Sequence, residues 1–501
     1  MIRVVTDLRK YELDIRAVIN VFYSQRLVVF NEKRIEDTPW MTINIEAAEN
    51  EIKVLFSYEE NDISVAEILN EVGCCEHTDS NLLKSRELKN KLKRALYKGL
   101  VKITGYESEW GTLTGVRPTK LAFMLRKEGL SQEESIKRLY EDYLCSEDKA
   151  KLILKIAEYE YNKVAHCIDE DTYSLYIGIP FCPTTCLYCS FASNPVGGNQ
   201  EKVFNYLKAL HKEIEETALM MQGKKLISVY IGGGTPTSIN EEQLDNLLTK
   251  VSLEFDLNNI VEYTVEAGRP DSITKEKLEV LKKHNVTRIS INPQIMNDEI
   301  LKLIGRRHSV LDIKEKYHMA REVGFDNINM DLIMGLPGQN VLMAEETINQ
   351  ILEMNPESVT VHTLALKKNS ALTHAIEEYE EMMVRDVGTM VVDARNTLIN
   401  NGYLPYYMYR QKNIASHLEN VGYAKEGYES IYNILMMEEM QTIVACGAGT
   451  ISKKVTKPRL LIEGEKGILP SVERHDNPKN LKDYVERIDE IIARKKNFYM
   501  M

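Results

Sequence analysis

Three cysteines fall within eight residues, directly after a β-rich run that a proline brings to a stop. The run Leu175 to Ile179 ends at Pro180, which has no N–H to offer a sheet ladder. Cys182, Cys186 and Cys189 follow with the spacing C-x3-C-x2-C. One loop of that length can wrap three thiolates around a single small inorganic body. A structural zinc ion takes four ligands, and no fourth Cys or His stands nearby to close a tetrahedron. Disulfides fit poorly, because the number is odd and the spacing tight. A [4Fe–4S] cluster held by three cysteines keeps one iron without a protein ligand. An open iron points to chemistry rather than support.

The rest of the composition narrows the class. The chain has 501 residues, 44% hydrophobic, enough for two or three domains. Its 63 basic and 75 acidic residues give a net charge of −12, with no basic stripe, which argues against nucleic acid. Eight cysteines, three of them in one loop, suit a reducing cytoplasm better than a disulfide scaffold. Asp7 and Arg9 precede any apolar run, so no signal peptide is expected, and no run is long enough for a membrane span. A cytoplasmic protein is expected.

Residues 1 to about 65 read as strands, with a hairpin between Met41–Ile45 and Ile52–Phe56 around Glu49-Asn50. Residues 63 to 103 change to helical spacing at Leu83, Leu88, Leu92 and Leu96. Cys74-Cys75-Glu-His77 between them reads either as a metal site or as a loop beside a core. Pro118 and Thr119 start a helix over 121–127, placing Arg117 and Lys120 near its N-terminus, where an anion can be met. Helices over 131–144 and 147–165 follow.

From Ser174 onward strand and helix alternate. Strands are expected at 174–179, 227–231, 261–267, 288–293, 327–333 and 358–364. Helices are expected at 201–219, 241–253, 274–284, 298–322 and 341–353. Six βα units predict a parallel barrel or an open part-barrel, with right-handed crossovers. In such folds chemistry gathers at the C-terminal ends of the strands. Those ends carry the cysteine loop, Gly232-Gly233-Gly234-Thr235, Glu266, Gln294, Asp331 and Leu364-Ala365. Glycines let a ligand approach the backbone, and buried Glu266 and Asp331 would be costly without hydroxyls or cations to meet. Arg306 offers a fork for a carboxylate. The division expected is an N-terminal α+β domain over 1–165, the barrel over 166–385 and a C-terminal extension over 386–501.

The cysteine spacing, the aromatic Tyr188 and the phrase Tyr176-Ile-Gly-Ile-Pro-Phe-Cys182 resemble the radical S-adenosylmethionine (SAM) superfamily. Within it they resemble the oxygen-independent coproporphyrinogen III oxidase family, and with Thr114-Gly-Val-Arg-Pro118 its HemZ branch. The resemblance covers about 174 to 455 and implies an open (β/α)6 barrel. It assigns the cluster to Cys182, Cys186 and Cys189, and the surroundings of SAM to Tyr176, Tyr188, Gly233, Gly234, Thr235, Glu266, Gln294, Arg306 and Asp331. Ala365 and Ile451 match positions near a second SAM, and 403–410 and 445–452 resemble the segments that close the barrel.

Two positions depart from the best-known oxidases. Phe191 stands where they carry a fourth cysteine, and Gly178 where they carry His. Cys-Ser-Phe is closer to the heme-chaperone and anaerobic heme-degrading members. The resemblance implies oxidative decarboxylation of two propionates of coproporphyrinogen III by a 5′-deoxyadenosyl radical. Its alternatives are a heme-opening methyltransferase and a cluster-containing heme chaperone. Arg117, Lys120, Lys367, Lys368, Arg410 and Lys412 are the candidate cations for a tetracarboxylate, and a small flavodoxin or ferredoxin is the implied electron donor.

Overall fold

The computed structural model describes residues 1–23, 26–31, 41–47, 51–58, 61–68, 80–191, 194–367, 369–384, 386–411, 414–456 and 471–500. The Glu49-Asn50 turn, Cys74, Cys75, His77, Lys368 and Lys412 lie outside the described residues. The chain forms two compact units, one of 1–157 with 410–418 and one of 158–409 with 419–501.

In the first unit the strands are β1 (Ile2–Thr6), β2 (Val28–Phe30), β3 (Met41–Ala47), β4 (Glu51–Tyr58) and β5 (Asn61–Ile68). They make one sheet in the order β2-β1-β3-β4-β5, with β1 parallel to both neighbours and the β3-β4-β5 pairings antiparallel. Helix α1 (Glu12–Phe22) interrupts the stretch expected to be all strand. Ile15, Val18 and Ile19 recur at helical spacing there and are buried, so period 3.6 wins over β-branching. Residues 61–68, expected as the start of a helical region, instead form β5, where Ile63 and Val65 alternate toward the core. Helix α2 (Ser80–Thr104) packs on β4 so closely that a Cβ at Gly99 would sit 2.0 Å from the Phe56 ring. Helices α3 (Thr119–Lys127), α4 (Gln132–Tyr143) and α5 (Glu147–Val164) follow, close to expectation.

The second unit carries the expected parallel strands. They are β6 (Thr172–Ile179), β9 (Lys225–Gly233), β10 (Glu262–Gly268), β11 (Arg288–Ile291), β12 (Ile328–Met334) and β13 (Ser358–Thr363). Two-residue strands β7 (Phe181–Cys182) and β8 (Asn194–Pro195) pair beside the cysteines. The crossover helices are α6 (Gln200–Met220), α7 (Glu241–Glu254), α8 (Lys275–Lys283), α9 (Asp298–Leu303), α10 (Val310–Val323) and α11 (Val341–Met354). The single helix expected over 298–322 is broken in two. Gly305, at φ +79°, ends α9, and the Ser309–Asp312 capping box starts α10.

The remainder extends both edges of the sheet. After α12 (Ala371–His374), α13 (Ile376–Tyr379) and α14 (Val387–Asn400) come β14 (Leu404–Tyr409) and β15 (Asn420–Ala424), antiparallel beyond β13. After α15 (Ile431–Glu438), strand β16 (Thr442–Cys446) pairs parallel with the other edge of β6, a seventh parallel strand not foreseen. Strands β17 (Ile451–Thr456) and β18 (Ser471–Asp476) continue antiparallel, before α16 (Leu481–Glu486) and α17 (Ile488–Met500). The fold is an α/β part-barrel built on seven parallel strands, with an α+β N-terminal unit.

Helix α17 is pinned to this sheet by one buried lysine. Lys495 is wholly buried, with Nζ 3.0 Å from Glu213 Oε1, 3.0 Å from Thr217 Oγ1 and 2.7 Å from the Ala445 carbonyl. Glu213 also accepts from the Gly447 N–H (2.8 Å), Asn477 (2.8 Å) and Tyr484 (2.5 Å). Tyr206 of α6, the helix that also carries Glu213, donates to the Gly178 carbonyl at 2.5 Å, so the network reaches the strand that feeds the cysteines.

Candidate functional site

The cysteine loop is fixed from four sides. The Gly234 N–H donates to the Ile179 carbonyl (2.8 Å) and the Thr235 N–H to the Phe181 carbonyl (2.7 Å). A Cβ at Gly234 would lie 2.5 Å from the Phe181 oxygen and 3.0 Å from Cys182 Sγ. The glycine turn therefore serves first to let the cysteine strand close upon it. The Leu187 N–H donates to the Ile304 carbonyl (3.0 Å), freed by the break after α9, and the Leu187 carbonyl accepts from Leu372 (2.9 Å). Arg269 Nη1 donates to the Thr184 carbonyl (2.9 Å) and lies 3.4 Å from Cys186 Sγ. Its other nitrogens are held by Asp271 at 2.9 and 2.7 Å. Burial works to raise the Asp271 carboxyl, but His308 and Arg269 outweigh it and hold the group well below the usual range.

The three thiols suit a multi-iron body. Cys182 and Cys186 are buried and Cys189 half-buried. Burial, with Cys186 and Cys182 adding to it, pushes the Cys189 thiol up to about 11, so a metal must drive its ionisation. Among the described residues no three Cys, His, Asp or Glu groups are near enough to hold a single ion.

Beside this loop the barrel interior opens in one layer. Along strands that are mostly buried, Tyr176 (β6), Tyr230 (β9), Glu266 (β10), Asp331 (β12) and His362 (β13) are partly accessible, and on β9 only Gly233 and the terminal Lys225 are accessible besides. Two residues further down each strand the side chains close on one another. Ser228 donates to Ser174 at 2.8 Å, Ser174 to Gln441 at 2.7 Å and Thr360 to Asn329 at 3.1 Å. The polar layer below is largely paired within itself, with Gln441 Nε2 left without a partner, whereas the layer above is open to a ligand.

Tyr230 donates to Glu266 at 2.6 Å, and a Cβ at Gly232 would meet the Glu266 carboxyl at 2.9 Å, so that glycine makes room for it. Burial first, then the Asp331 charge, push the Glu266 carboxyl up to about 7, against the Tyr230 and Gly233 hydrogen bonds. Burial acts the same way on Asp331, but His362 (3.8 Å) and Asn329 (2.7 Å) outweigh it and hold that group below the usual range. Tyr230 stacks on Tyr432 of α15 at 4.5 Å, and Tyr176 flanks the pair at 6.1 and 6.2 Å. Gln294, in the left-handed region at φ +70°, is buried with its side-chain oxygen unpartnered. Arg306 donates to the Asn292 carbonyl (2.5 Å) and to Tyr188 (3.2 Å), and its Nε has no partner.

The structure thus brings Tyr176, Glu266 and Asp331 into one layer, with Gly233 to Thr235 and Tyr188 against the cysteine loop. Ala365 lies just past β13, with Lys367 partly buried beyond it. Ile451 does not join them: it begins β17, two strands from β6, and is 46% exposed. Arg410 belongs to the first unit and is spent on the carbonyls of Leu113, His417 and Leu418, over the Trp110 ring. That removes it from the candidate cations. Arg117 and Lys120 also lie in the first unit, at the start of α3. Sequence reasoning missed Tyr230, His362, Tyr432 and Arg269. The first two were readable, since they repeat the strand alternation of Tyr176 and Asp331; nothing local marks Arg269.

The Radical SAM superfamily model matches residues 176–351, which take in the cysteine loop, Tyr176, Tyr230, Glu266 and Asp331 but not His362. Over 476 residues the chain is 39% identical to the oxygen-independent coproporphyrinogen-III oxidase-like protein HemZ of Bacillus subtilis (strain 168), covering 94% of the chain and 92% of that protein. The chain belongs to the HemZ branch of the radical SAM superfamily. Members of the superfamily bind a [4Fe–4S] cluster and SAM, and the thiols and the open layer fit both. The HemZ match takes in most of the N-terminal unit, since 94% of the chain lies inside it. The heme chaperone HemW of Bacillus subtilis (strain 168) is 37% identical over 41% of the chain and 54% of its own length. The oxygen-independent coproporphyrinogen III oxidase of Escherichia coli (strain K12) is 33% identical over 38% and 42%. The solved Escherichia coli coproporphyrinogen III oxidase HemN, a radical SAM enzyme, superposes with a TM-score of 0.52. It covers 67% of this chain and 72% of its own at 23% identity, a likeness of fold. No helix among the described residues is long and apolar enough to cross a membrane.

Proposed function

We propose that this HemZ-branch protein removes the carboxyl groups of two propionates of coproporphyrinogen III, leaving vinyl groups, without oxygen. The observation that carries the reading is the seating of the cysteine loop against an open layer of Tyr176, Tyr230, Glu266, Asp331 and His362 at the ends of adjoining parallel strands. Cys182, Cys186 and Cys189 would hold the cluster. When bound and reduced, it supplies the electron that splits SAM and yields a 5′-deoxyadenosyl radical. Glu266 and Asp331 would take the hydroxyls and the cation of SAM, Gln294 and Arg306 its remaining polar groups, and Tyr176 and Tyr188 its apolar faces. The closed polar layer beneath keeps water from entering behind the ligand. Lys367, partly buried at the rim, would meet a substrate carboxylate. A flavodoxin- or ferredoxin-type protein would supply electrons, in the cytoplasm, where the six described cysteines stay reduced. The tetrapyrrole assignment draws support from the likeness to HemZ and to the Escherichia coli coproporphyrinogen III oxidase.

Phe191 favours a second reading. It is 73% exposed two residues past Cys189, and a heme chaperone, HemW of Bacillus subtilis (strain 168), is among the relatives the chain resembles. Anaerobic incubation of the reconstituted protein with SAM and reductant, given coproporphyrinogen III or heme, decides by product mass. Loss of two CO2 from coproporphyrinogen III is expected. Heme retained without turnover, or a methylated, opened tetrapyrrole, overturns the decarboxylase reading.

Glu266 gives the site a pH dependence. Its carboxyl sits at about 7, and only the ionised form attracts a cation strongly. SAM affinity, read by equilibrium titration, is expected to tighten as pH rises through about 7. Glu266→Gln should weaken binding roughly tenfold at high pH and flatten the profile. Stability moves the other way. The raised folded-state value favours folding at low pH, and that contribution is lost as pH rises through about 7.

A further inference from the structure

A second cavity shares a wall with the cysteine loop. It encloses about 730 Å³, and Thr184 and Thr185 of the loop form one side. The other side is the break between α9 and α10, with Lys302, Arg306, Arg307 and His308. None of the five open-layer residues lines it. Its two carboxylates are already engaged: Asp298 accepts from the Val310 N–H (2.7 Å), and Asp312 from the Ser309 N–H and hydroxyl (both 2.7 Å). Lys302 and Arg307 are exposed and give the cavity its charge toward an arriving partner.

We propose that this cavity is the docking site of the electron donor, a small acidic protein carrying a one-electron centre at its surface. The inference rests on the radical SAM reading, which requires an electron from outside. Four observations favour this place. Thr185 is the residue immediately before Cys186, and Arg269 clamps the Thr184 carbonyl, so the wall is both thin and rigid. Electron transfer falls steeply with distance, and a donor seated here is separated from a cluster ligand by one residue of chain. The protein carries a net charge of −12, so an acidic donor is repelled in general and needs a local basic seat. Leu311 beside the cavity and Phe191 past the third cysteine are 65% and 73% exposed, apolar points for a protein partner to cover. In the transfer, one electron leaves the donor centre and enters the cluster. No bond is made or broken.

The test uses the reconstituted full chain and the double charge reversal K302E/R307E, with K302Q/R307Q as a milder variant. Binding of a flavodoxin and of a ferredoxin is measured by calorimetry at low and at physiological salt. SAM cleavage is measured without tetrapyrrole, driven either by dithionite or by the reduced carrier. Affinity for at least one carrier should fall tenfold or more in the charge reversal and less in the neutral variant, with the parent's salt dependence reduced. Dithionite-driven cleavage should stay at the parent rate. Which carrier is affected identifies the donor class. Unchanged affinity for both carriers, or an equal fall under dithionite, overturns the proposal. Because no tetrapyrrole is present, a wrong substrate assignment leaves this result untouched.

Discussion

Cys182→Ala, Cys186→Ala and Cys189→Ala are each expected to abolish the brown visible absorbance and reduce SAM cleavage to background. Losing even an outer partner of a metal ligand costs roughly 10- to 100-fold, and the loss of a direct ligand should exceed that. The loop itself should survive, because its shape is held by main-chain hydrogen bonds to Gly234, Thr235 and Ile304 and by the Arg269 guanidinium on the Thr184 carbonyl. Circular dichroism and the melting temperature should therefore change little while iron content collapses. Full iron occupancy in any one of the three variants would remove that cysteine from the ligand set.

The largest effect on stability is expected far from the thiols, at Lys495. Lys495→Ala strands Glu213, a wholly buried carboxylate, without its cation. Breaking a buried pair on one side typically costs about 3–5 kcal/mol, a large share of a domain's stability. The double change Lys495→Met with Glu213→Gln should recover much of the loss, since it removes both charges and keeps a side-chain oxygen for Gly447, Asn477 and Tyr484. Urea unfolding of the three proteins checks this. A single Lys495→Ala variant as stable as the parent would mean that water replaces the lysine without penalty.

What the sequence revealed and what it hid follow from the range of the interactions. The parallel strands were readable because burial on both faces makes them short apolar runs, and the cysteine spacing needed no partner elsewhere. Glu266 and Asp331 stood out as acids near the ends of such runs. Strand β16 did not, because Thr442 to Cys446 is five residues whose parallel pairing with β6 is set by chain far upstream. The break at Gly305 and Ser309 carried ordinary stop and start signals, but the apolar spacing on either side masked them. Helix α1 hid for the opposite reason, its β-branched Ile and Val residues favouring strand while their spacing favoured helix. Arg269 acts on a loop 85 positions earlier, a contact that local pattern cannot announce.

The seventh parallel strand also orders events during synthesis. One edge of β6, the strand that delivers the cysteines, is completed only when β16 pairs with it, and β16 is itself tied down by Lys495 of α17. While the ribosome is still making that segment, β6 has an open flank and the Gly178 carbonyl lacks the settled frame behind Tyr206. The flank of the strand that delivers the cysteines is thus closed by chain made long after the cysteine loop itself.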